Sequence, residues 1–195
     1  MARDVIHIML HTLAIKLSDV TNIPSGHIWA DHPSEEYINN DTYNLYPSIG
    51  ITDLGFTPLA NNYGATKKLP TNNPSIFTEY SPAGEIQQIF QIDVYSKEHY
   101  QMRNYRSLLN HFFQQTTLLA TSGDILSDEF FSLKITDAHK FDEKPYILHY
   151  TIECHIQDYK EQNVYTVSQV GINLYQNTIS SGNLANQITF TSGGI

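Results

Sequence analysis

Residues 86–112 read IQQIFQIDVYSKEHYQMRNYRSLLNHF, which predicts a strand that runs into a helix. The first part of this stretch, residues 86–95, alternates between apolar and polar side chains, the period-two pattern of a strand with one face in a core. The apolar face carries Phe90, Ile92 and Val94, and the other face carries Gln91, Asp93 and Tyr95. We therefore expect a half-buried strand here.

A helix is expected directly after this strand and as far as about Gln115. Ser96 is a residue type that caps helix N-termini, and Glu98 falls in the first turn, where the helix dipole favours an acid. The predicted buried stripe follows helical spacing and consists of Met102, Tyr105, Leu109 and Phe112. Three polar residues lie away from this stripe, namely Arg103, Asn104 and Asn110.

Two more alternating runs lie downstream, at residues 130–136 and 146–157. One face of the longer run carries Tyr146, Leu148, Tyr150, Ile152, Cys154 and Ile156, and the other carries Ile147, His149, Thr151, Glu153, His155 and Gln157. A short link of acids and bases, residues 137–144, joins the runs and ends at Pro145. Two long alternating runs joined by a polar link are typical of an antiparallel pair.

A second helix is expected at residues 2–18, before Pro24 and Gly26. Its apolar residues recur at spacings of three and four, and they are Val5, Ile6, Met9, Leu10, Leu13 and Leu17. Helices and alternating strands in this order predict an α+β domain at residues 1–160. Its architecture is expected to be a mostly antiparallel sheet packed against two helices.

Residues 39–84 differ in composition, because they hold five of the eight prolines and three pairs of asparagines. One short strand is expected at Tyr46–Ile51. Residues 52–84 are interpreted as a long ordered loop or an extended hairpin inserted in the domain. Such long connections usually have a function, so a docking element and a solvated insertion are the two interpretations.

Residues 161–195 are interpreted as an extended C-terminal arm. From Gln162 onward they contain no Asp, Glu, Lys, Arg, His or Pro, whereas disordered tails are usually charged. Their scattered apolar residues are too few to form a core of their own. We expect the arm to order on a neighbouring subunit, for example by adding a strand to an exposed sheet edge, and a flexible tail is the alternative.

The overall composition favours contact with other proteins. Only 16% of the 195 residues are charged, 13 are tyrosines, and the formal net charge is −9. A surface poor in charge and rich in Tyr suits protein interfaces. The single cysteine excludes an intramolecular disulfide framework, and no apolar run is long enough for a membrane span. A secretory signal is not expected either.

Candidate metal and catalytic residues do not combine into a site. His7 and His11 have the spacing of zinc-binding helices, but Ile8 stands where a metalloprotease has glutamate. Asp93 precedes a helix, as in metal-dependent nucleases, yet the nearest lysine, Lys97, is four residues away instead of two. Cys154 lies on an apolar strand face and is expected to be an unactivated thiol. We expect no catalytic residue, no metal and no cofactor, with a metal-dependent nuclease as the weakest alternative.

The segment QIDVYSKEHYQMRNYRSLLNHF, residues 91–112, resembles a recurring pattern in tail-terminator and tail-completion proteins of tailed bacteriophages. In those proteins a strand ending in Asp-Val-aromatic runs into a Ser or Thr cap and an amphipathic helix. The order around it is also similar, with an N-terminal helix before, PSIGI at 47–51 where a first strand is expected, and long paired strands after. The resemblance covers roughly residues 1–158.

This resemblance implies a structural virion protein that forms a six-fold ring at the head-proximal end of the tail. Such rings cap the tail tube, join it to the neck or head-completion protein and let DNA pass without sequence-specific binding. The implied location is the virion neck, after assembly in the bacterial cytoplasm, and a sheath or collar protein is a further implied partner. A head-closure or other connector protein, and an adhesion module, are the alternatives.

Two groups of residues are the candidate assembly contacts. The first comprises apolar residues of the arm, namely Val164, Val167, Val170, Ile172, Leu174, Ile188 and Phe190. The second is the pair Arg103 and Arg106 on the central helix, among the densest bases of the chain. The surplus of 20 acids over 11 bases suits a channel whose wall repels the DNA backbone and lets it slide.

Overall fold

The computed structural model describes residues 3–31, 45–142, 144–165, 170–175 and 187–192, and from Tyr165 onward it describes the backbone alone. The chain divides into two compact units. Unit 1 consists of residues 1–65 and 82–160, and unit 2 consists of residues 66–81 and 161–195. Together the elements confirm the α+β class with two helices and a mostly antiparallel seven-stranded sheet.

Helix α1 spans Val5–Thr21, so the predicted range of 2–18 was displaced toward the N-terminus. Asp4 is the N-cap, because its side chain accepts a hydrogen bond from the backbone N–H of His7 at 3.0 Å. Asn22 ends the helix with a left-handed backbone (φ 57°), and its N–H donates to the Ser18 carbonyl. These caps account for the displacement. The apolar face is buried as expected, with Met9, Leu13 and Leu17 fully covered.

The quoted strand–helix stretch forms strand β4, Ile76–Ser96, and helix α2, His99–Gln115. The N-cap position is Glu98 rather than the predicted Ser96. Ser96 still satisfies a backbone donor there, since its Oγ accepts from the Glu98 N–H at 3.1 Å. The buried stripe of α2 contains Met102, Tyr105 and Leu109 as predicted, but its last member is Phe113, and Phe112 is only partly buried.

The sheet of unit 1 has the strand order β1-β2-β4-β7-β6-β5. The remaining strands of this order are β1 Ile28–Ala30, β2 Ser48–Leu59, β5 Leu118–Ala120, β6 Phe130–Phe141 and β7 Tyr146–Tyr165. β1 runs parallel to β2, whereas β2–β4, β5–β6 and β6–β7 are antiparallel. The predicted antiparallel pair is thus confirmed.

Strands β6 and β7 are longer than predicted, so the link between them is shorter. The ladder continues through His139↔His149 to Phe141↔Ile147, which leaves four residues, 142–145, as the connection instead of 137–145. Polar residues remain in this part of the ladder because residues 136–141 are exposed or nearly so on both faces, so neither face needs apolar side chains.

Most of the predicted insertion at 52–84 is β-structure. Strand β2 continues to Leu59 and pairs with β4, with a bulge between Asp53 and Gly55 where Gly55 has φ +118°. In unit 2, strand β3, Lys67–Pro70, pairs antiparallel with Phe77–Tyr80 of β4. Residues 52–84 therefore contain the end of β2, strand β3 and the first part of β4, with both β2 and β3 paired to β4.

The core lies between the two helices and one face of the unit-1 sheet. Phe90, Ile92 and Val94 of β4 have no exposed surface, and Ile152 and Cys154 of β7 are buried as predicted. The other face of β4 was expected to be exposed, but Asp93 and Tyr95 are only 2% and 3% exposed. This end of the sheet is therefore buried on both faces.

The C-terminal residues contain a hairpin of their own, strands β8 Val170–Tyr175 and β9 Gln187–Ser192, which pair antiparallel. The prediction of an arm that orders on a neighbouring subunit stays a prediction. Of the candidate contact residues, Val167 lies outside the described residues, and Val164 is a partly buried residue near the end of β7.

Candidate assembly surface

The sheet face opposite the helices carries acid–histidine pairs that join β4 to β7. Asp93 Oδ1 lies 2.8 Å from Nδ1 of His149, and Asp93 Oδ2 accepts a 2.7 Å hydrogen bond from Gln91. The other ring nitrogen of His149 lies 3.3 Å from the Thr151 hydroxyl. Burial, followed by the charge of Asp93, raises the pKa of Tyr95. Asp93 therefore fixes the orientation of an imidazole and accepts hydrogen bonds within the sheet.

A second acid–histidine cluster lies on the same two strands. Both ring nitrogens of His155 contact carboxylates, with Nδ1 at 2.5 Å from Glu85 and Nε2 at 2.6 Å from Glu153. A neutral imidazole has one donor only, so both hydrogen bonds require the charged ring. Burial lowers the pKa of His155, but the hydrogen bonds to Glu153 and Glu85 outweigh burial and the pKa is raised. The hydrogen bond from His155 lowers the pKa of Glu153.

These clusters place the candidate chemical residues in separate groups. His149 and His155 contact different carboxylates. Cys154 is buried, and burial raises the pKa of its thiol well above the ordinary value. The arrangement holds neighbouring strands together.

Large apolar side chains are exposed toward both ends of the strand order. On β2, Leu54 and Phe56 are 51% and 57% exposed. In the β5–β6 hairpin, Leu118, Ile125 and Phe130 are each more than half exposed, and we call these three residues the β5–β6 patch. Exposed apolar groups of this kind mark sites of contact with other proteins.

The strand register explains why the β5–β6 patch faces outward. Leu119 pairs with Phe131, and both point into the core. Leu118 and Phe130 are the alternate residues of the same two strands and therefore lie on the opposite face, as diagonal neighbours. Ile125 lies in the loop between the strands.

The loop beside this patch is held by a buried ion pair. Arg3 Nη2 lies 2.7 Å from Asp124 Oδ2, and the two side chains are only 2% and 1% exposed. Arg3 also donates to the Gln157 carbonyl at 2.9 Å and lies over the ring of Tyr159. The Ser122 N–H donates to the Thr12 hydroxyl at 2.8 Å. These contacts therefore hold in place the loop that lies beside the β5–β6 patch.

The candidate residues predicted from sequence fall into two places. Arg103 and Arg106 are exposed on α2, and their role as assembly contacts stays a prediction. Val170, Ile172 and Leu174 lie in β8, and Ile188 and Phe190 lie in β9.

Sequence reasoning missed the β5–β6 patch and the exposed residues of β2. Alternation shows that one face of Phe130–Ser132 is apolar, but it does not show whether the second face is covered. The one available signal was the run of large apolar residues Phe130 and Phe131, since only one of two adjacent strand residues can enter the same core.

Neither helix in the described part of the chain is long and apolar enough to cross a membrane. Within the same residues, no group of three or more His, Cys, Asp or Glu side chains is placed to hold a metal ion. In comparisons with known proteins, the chain matches no family model and no curated protein.

Proposed function

We propose that this protein is a structural subunit of a bacteriophage virion, which forms a ring of six copies at the head-proximal end of the tail. The ring caps the tail tube, joins it to the neck and lets DNA pass, and it acts without catalysis or a cofactor. The phage context rests on the sequence resemblance at residues 91–112, and the ring rests on the surface described above.

The observation that carries the ring is the exposed apolar surface toward both ends of the strand order. Leu54 and Phe56 lie on β2, and Leu118 and Phe130 lie at the β5 end. A closed ring needs two different surfaces on each subunit, because every copy contacts one neighbour on each side. A chain with exposed apolar groups at one end of its sheet only would favour a two-fold dimer instead.

The charge of the chain suits the wall of a DNA channel and not a surface that binds nucleic acid. The acids on the sheet face opposite the helices, Glu85, Asp93 and Glu153, are bonded to histidines, and Asp93 is buried. The chain as a whole carries a net charge of −9. A chain with this acidic surplus repels phosphates on average and does not hold them.

Native mass spectrometry and negative-stain microscopy of the purified chain test the ring directly. We expect closed rings near six subunits, and the Phe56→Lys variant should shift the population toward smaller species. Tyr100→Lys is the matched control, because Tyr100 is 82% exposed on α2 and lies outside both apolar ends. A monomer that persists at high concentration, and also when tail tubes are present, would contradict the ring.

The place of the ring in the virion needs a second experiment. Tail-tube protein of the same phage, assembled into tubes and mixed with this chain, should carry it at one end and stop growing. A head-closure or other connector protein would form rings yet leave tube growth unchanged. An adhesion module would bind host cells or glycans without stopping tubes.

A further inference from the structure

The C-terminal hairpin has one apolar face. Its register places Ile172 opposite Phe190 and Leu174 opposite Ile188. Residues opposite each other in an antiparallel pair lie on the same face of the sheet. Val170 shares this face as the next alternate position of β8, opposite Ser192.

The other face of the hairpin is polar. Its paired positions are Gly171 with Thr191, Asn173 with Thr189, and Tyr175 with Gln187. The five apolar positions predicted as contacts from the sequence thus fall on a single face, although they come from two strands. This arrangement is the one that a hairpin needs to pack flat on an apolar surface.

A two-stranded hairpin of this length is marginal without a surface to cover it. Isolated hairpins become stable when a third strand or an apolar partner buries one face. Residues 162–195 also contain no charged side chain. The most suitable acceptor is therefore an exposed surface with several large apolar side chains.

The β5–β6 patch meets this requirement better than the other exposed surfaces. Leu118, Ile125 and Phe130 are more than half exposed on a scaffold fixed by the Arg3–Asp124 pair. Strand β5 itself, Leu118–Ala120, has no charged residue.

Other exposed surfaces carry the features by which sheet edges avoid the addition of a strand. The outer half of β2 has a bulge and Pro58, and the outer half of β6 has a bulge, Asp137 and Lys140. The exposed side of α2 has Arg103 and Arg106. Because β5 is only three residues long, it offers little backbone, so contact there is made by side chains.

We propose that the β8–β9 hairpin of one copy packs its apolar face on the β5–β6 patch of the next copy. This inference rests on the proposed ring and adds one contact between its subunits to the two exposed apolar surfaces named there. In this contact the hairpin packs face to face on the patch, whereas the sequence suggested a strand added to an exposed sheet edge.

Cysteine cross-linking between differently tagged copies tests this contact. One copy carries Phe190→Cys and the other carries Phe130→Cys, and the two are co-expressed and oxidised after purification. We expect a disulfide-linked pair containing both tags. The buried Cys154 is left in place. The matched control is Thr189→Cys, whose position lies on the other face of the hairpin, and it should cross-link at least about tenfold less.

Charge substitutions test the energetic role of the same contact. The Leu118→Lys, Phe130→Lys double variant should raise the dissociation constant of the ring by about a hundredfold or more, because it places two charges at a buried contact. Ile172→Lys with Phe190→Lys should have the same effect from the other side. Phe141→Lys is the control, since Phe141 is 50% exposed on β6 outside the patch. Circular dichroism checks that each variant is folded.

The outcomes separate this inference from the proposed ring. If the unmodified chain forms rings, but the cysteine pair does not cross-link or the double variants still assemble, the hairpin contact is wrong and the ring remains. If a chain carrying both cysteines cross-links only within itself, the contact between copies is also wrong. If the unmodified chain is a monomer throughout, both proposals fail.

Discussion

The two faces of the unit-1 sheet bury different chemistry. On the helix-covered face, Phe90, Ile92 and Val94 of β4 have no exposed surface and contribute by apolar burial. On the other face, residues of the same strand, Asp93 and Glu85, are held by histidines of β7. One strand thus takes part in both kinds of interaction, alternating from residue to residue.

The two kinds of interaction predict that substitutions on the two faces differ in their cost to stability. Apolar packing loses both transfer free energy and packing contacts when a side chain is shortened. On the opposite face Asp93 is buried, but His149 and the Glu85–His155–Glu153 cluster are partly exposed. Water competes for these groups, so their net stabilisation is smaller. We therefore expect substitutions on the helix-covered face to cost more free energy of unfolding than those on the open face.

The largest loss of unfolding free energy is expected from Phe90→Ala. Phe90 has no exposed surface, and removing a buried phenyl ring costs about 3–5 kcal/mol of unfolding free energy. The matched control is Ile89→Ala, the adjacent residue of β4, which is 37% exposed on the opposite face and should cost less than about 1.5 kcal/mol. Urea unfolding monitored by circular dichroism measures both. Equal losses would contradict the comparison between the faces.

The next largest effect is expected from Arg3→Ala. This substitution leaves the Asp124 carboxylate buried without its cation, which costs about 3 kcal/mol. Lys16→Ala is the control, because the Lys16–Asp19 pair is exposed and 4.0 Å long, and its loss should change the unfolding free energy by less than about 0.5 kcal/mol. If Arg3→Ala unfolds like the control, the loop beside the β5–β6 patch is not held by this pair.

A smaller effect is expected from Asp93→Asn on the open face. Asparagine keeps the shape but removes the charge that His149 contacts, so a charge-assisted hydrogen bond worth about 1.5–3 kcal/mol is weakened. Thermal unfolding compares it with Asp19→Asn, whose side chain is exposed and lies 4.0 Å from Lys16. The expected loss for Asp93→Asn lies between those of the controls and that of Phe90→Ala, and a loss as large as that of Phe90→Ala would contradict the ranking.

Much of the core could be predicted from the sequence because local periodicity determines it. The period-two pattern around Ile92 and Ile152 and the helical spacing around Leu13 and Leu109 each identify a buried face without knowledge of a partner. All four residues are buried. The ends of the elements were less predictable. Helix α1, for example, ends where Asn22 takes a left-handed backbone and donates a hydrogen bond to the Ser18 carbonyl.

The open face could not be predicted in the same way because it depends on which strands are neighbours. Glu85 and His155 are 70 residues apart in the chain and meet through the order β4-β7. The bulges after Asp53 and Ile135 also shift the alternation by one residue. Residues 52–59 and 137–141 are strands because they pair with β4 and β7. Their composition does not reveal these partners.

The smallest change in unfolding free energy is expected from the titration of His155. Because its pKa is raised in the folded state, the stability that it contributes is fully present below the ordinary value of 6.5 and is lost as the pH rises through the folded pKa. The lowered pKa of Glu153 acts on the other side, with stability lost as the pH falls below 4.5. The contribution is therefore greatest between these limits.

His155→Gln tests this pH dependence, because glutamine keeps a hydrogen-bonding group but cannot be charged. Relative to the unmodified chain, the variant should be less stable near pH 6 by about 1 kcal/mol or less, and the difference should shrink as the pH rises above the folded pKa of His155. His11→Gln on α1 is the control, since His11 is exposed. A difference that stays constant from pH 6 to the alkaline side would mean that His155 acts through packing, and the clusters on the open face would then stabilise the sheet in the same way as the apolar residues on the other face.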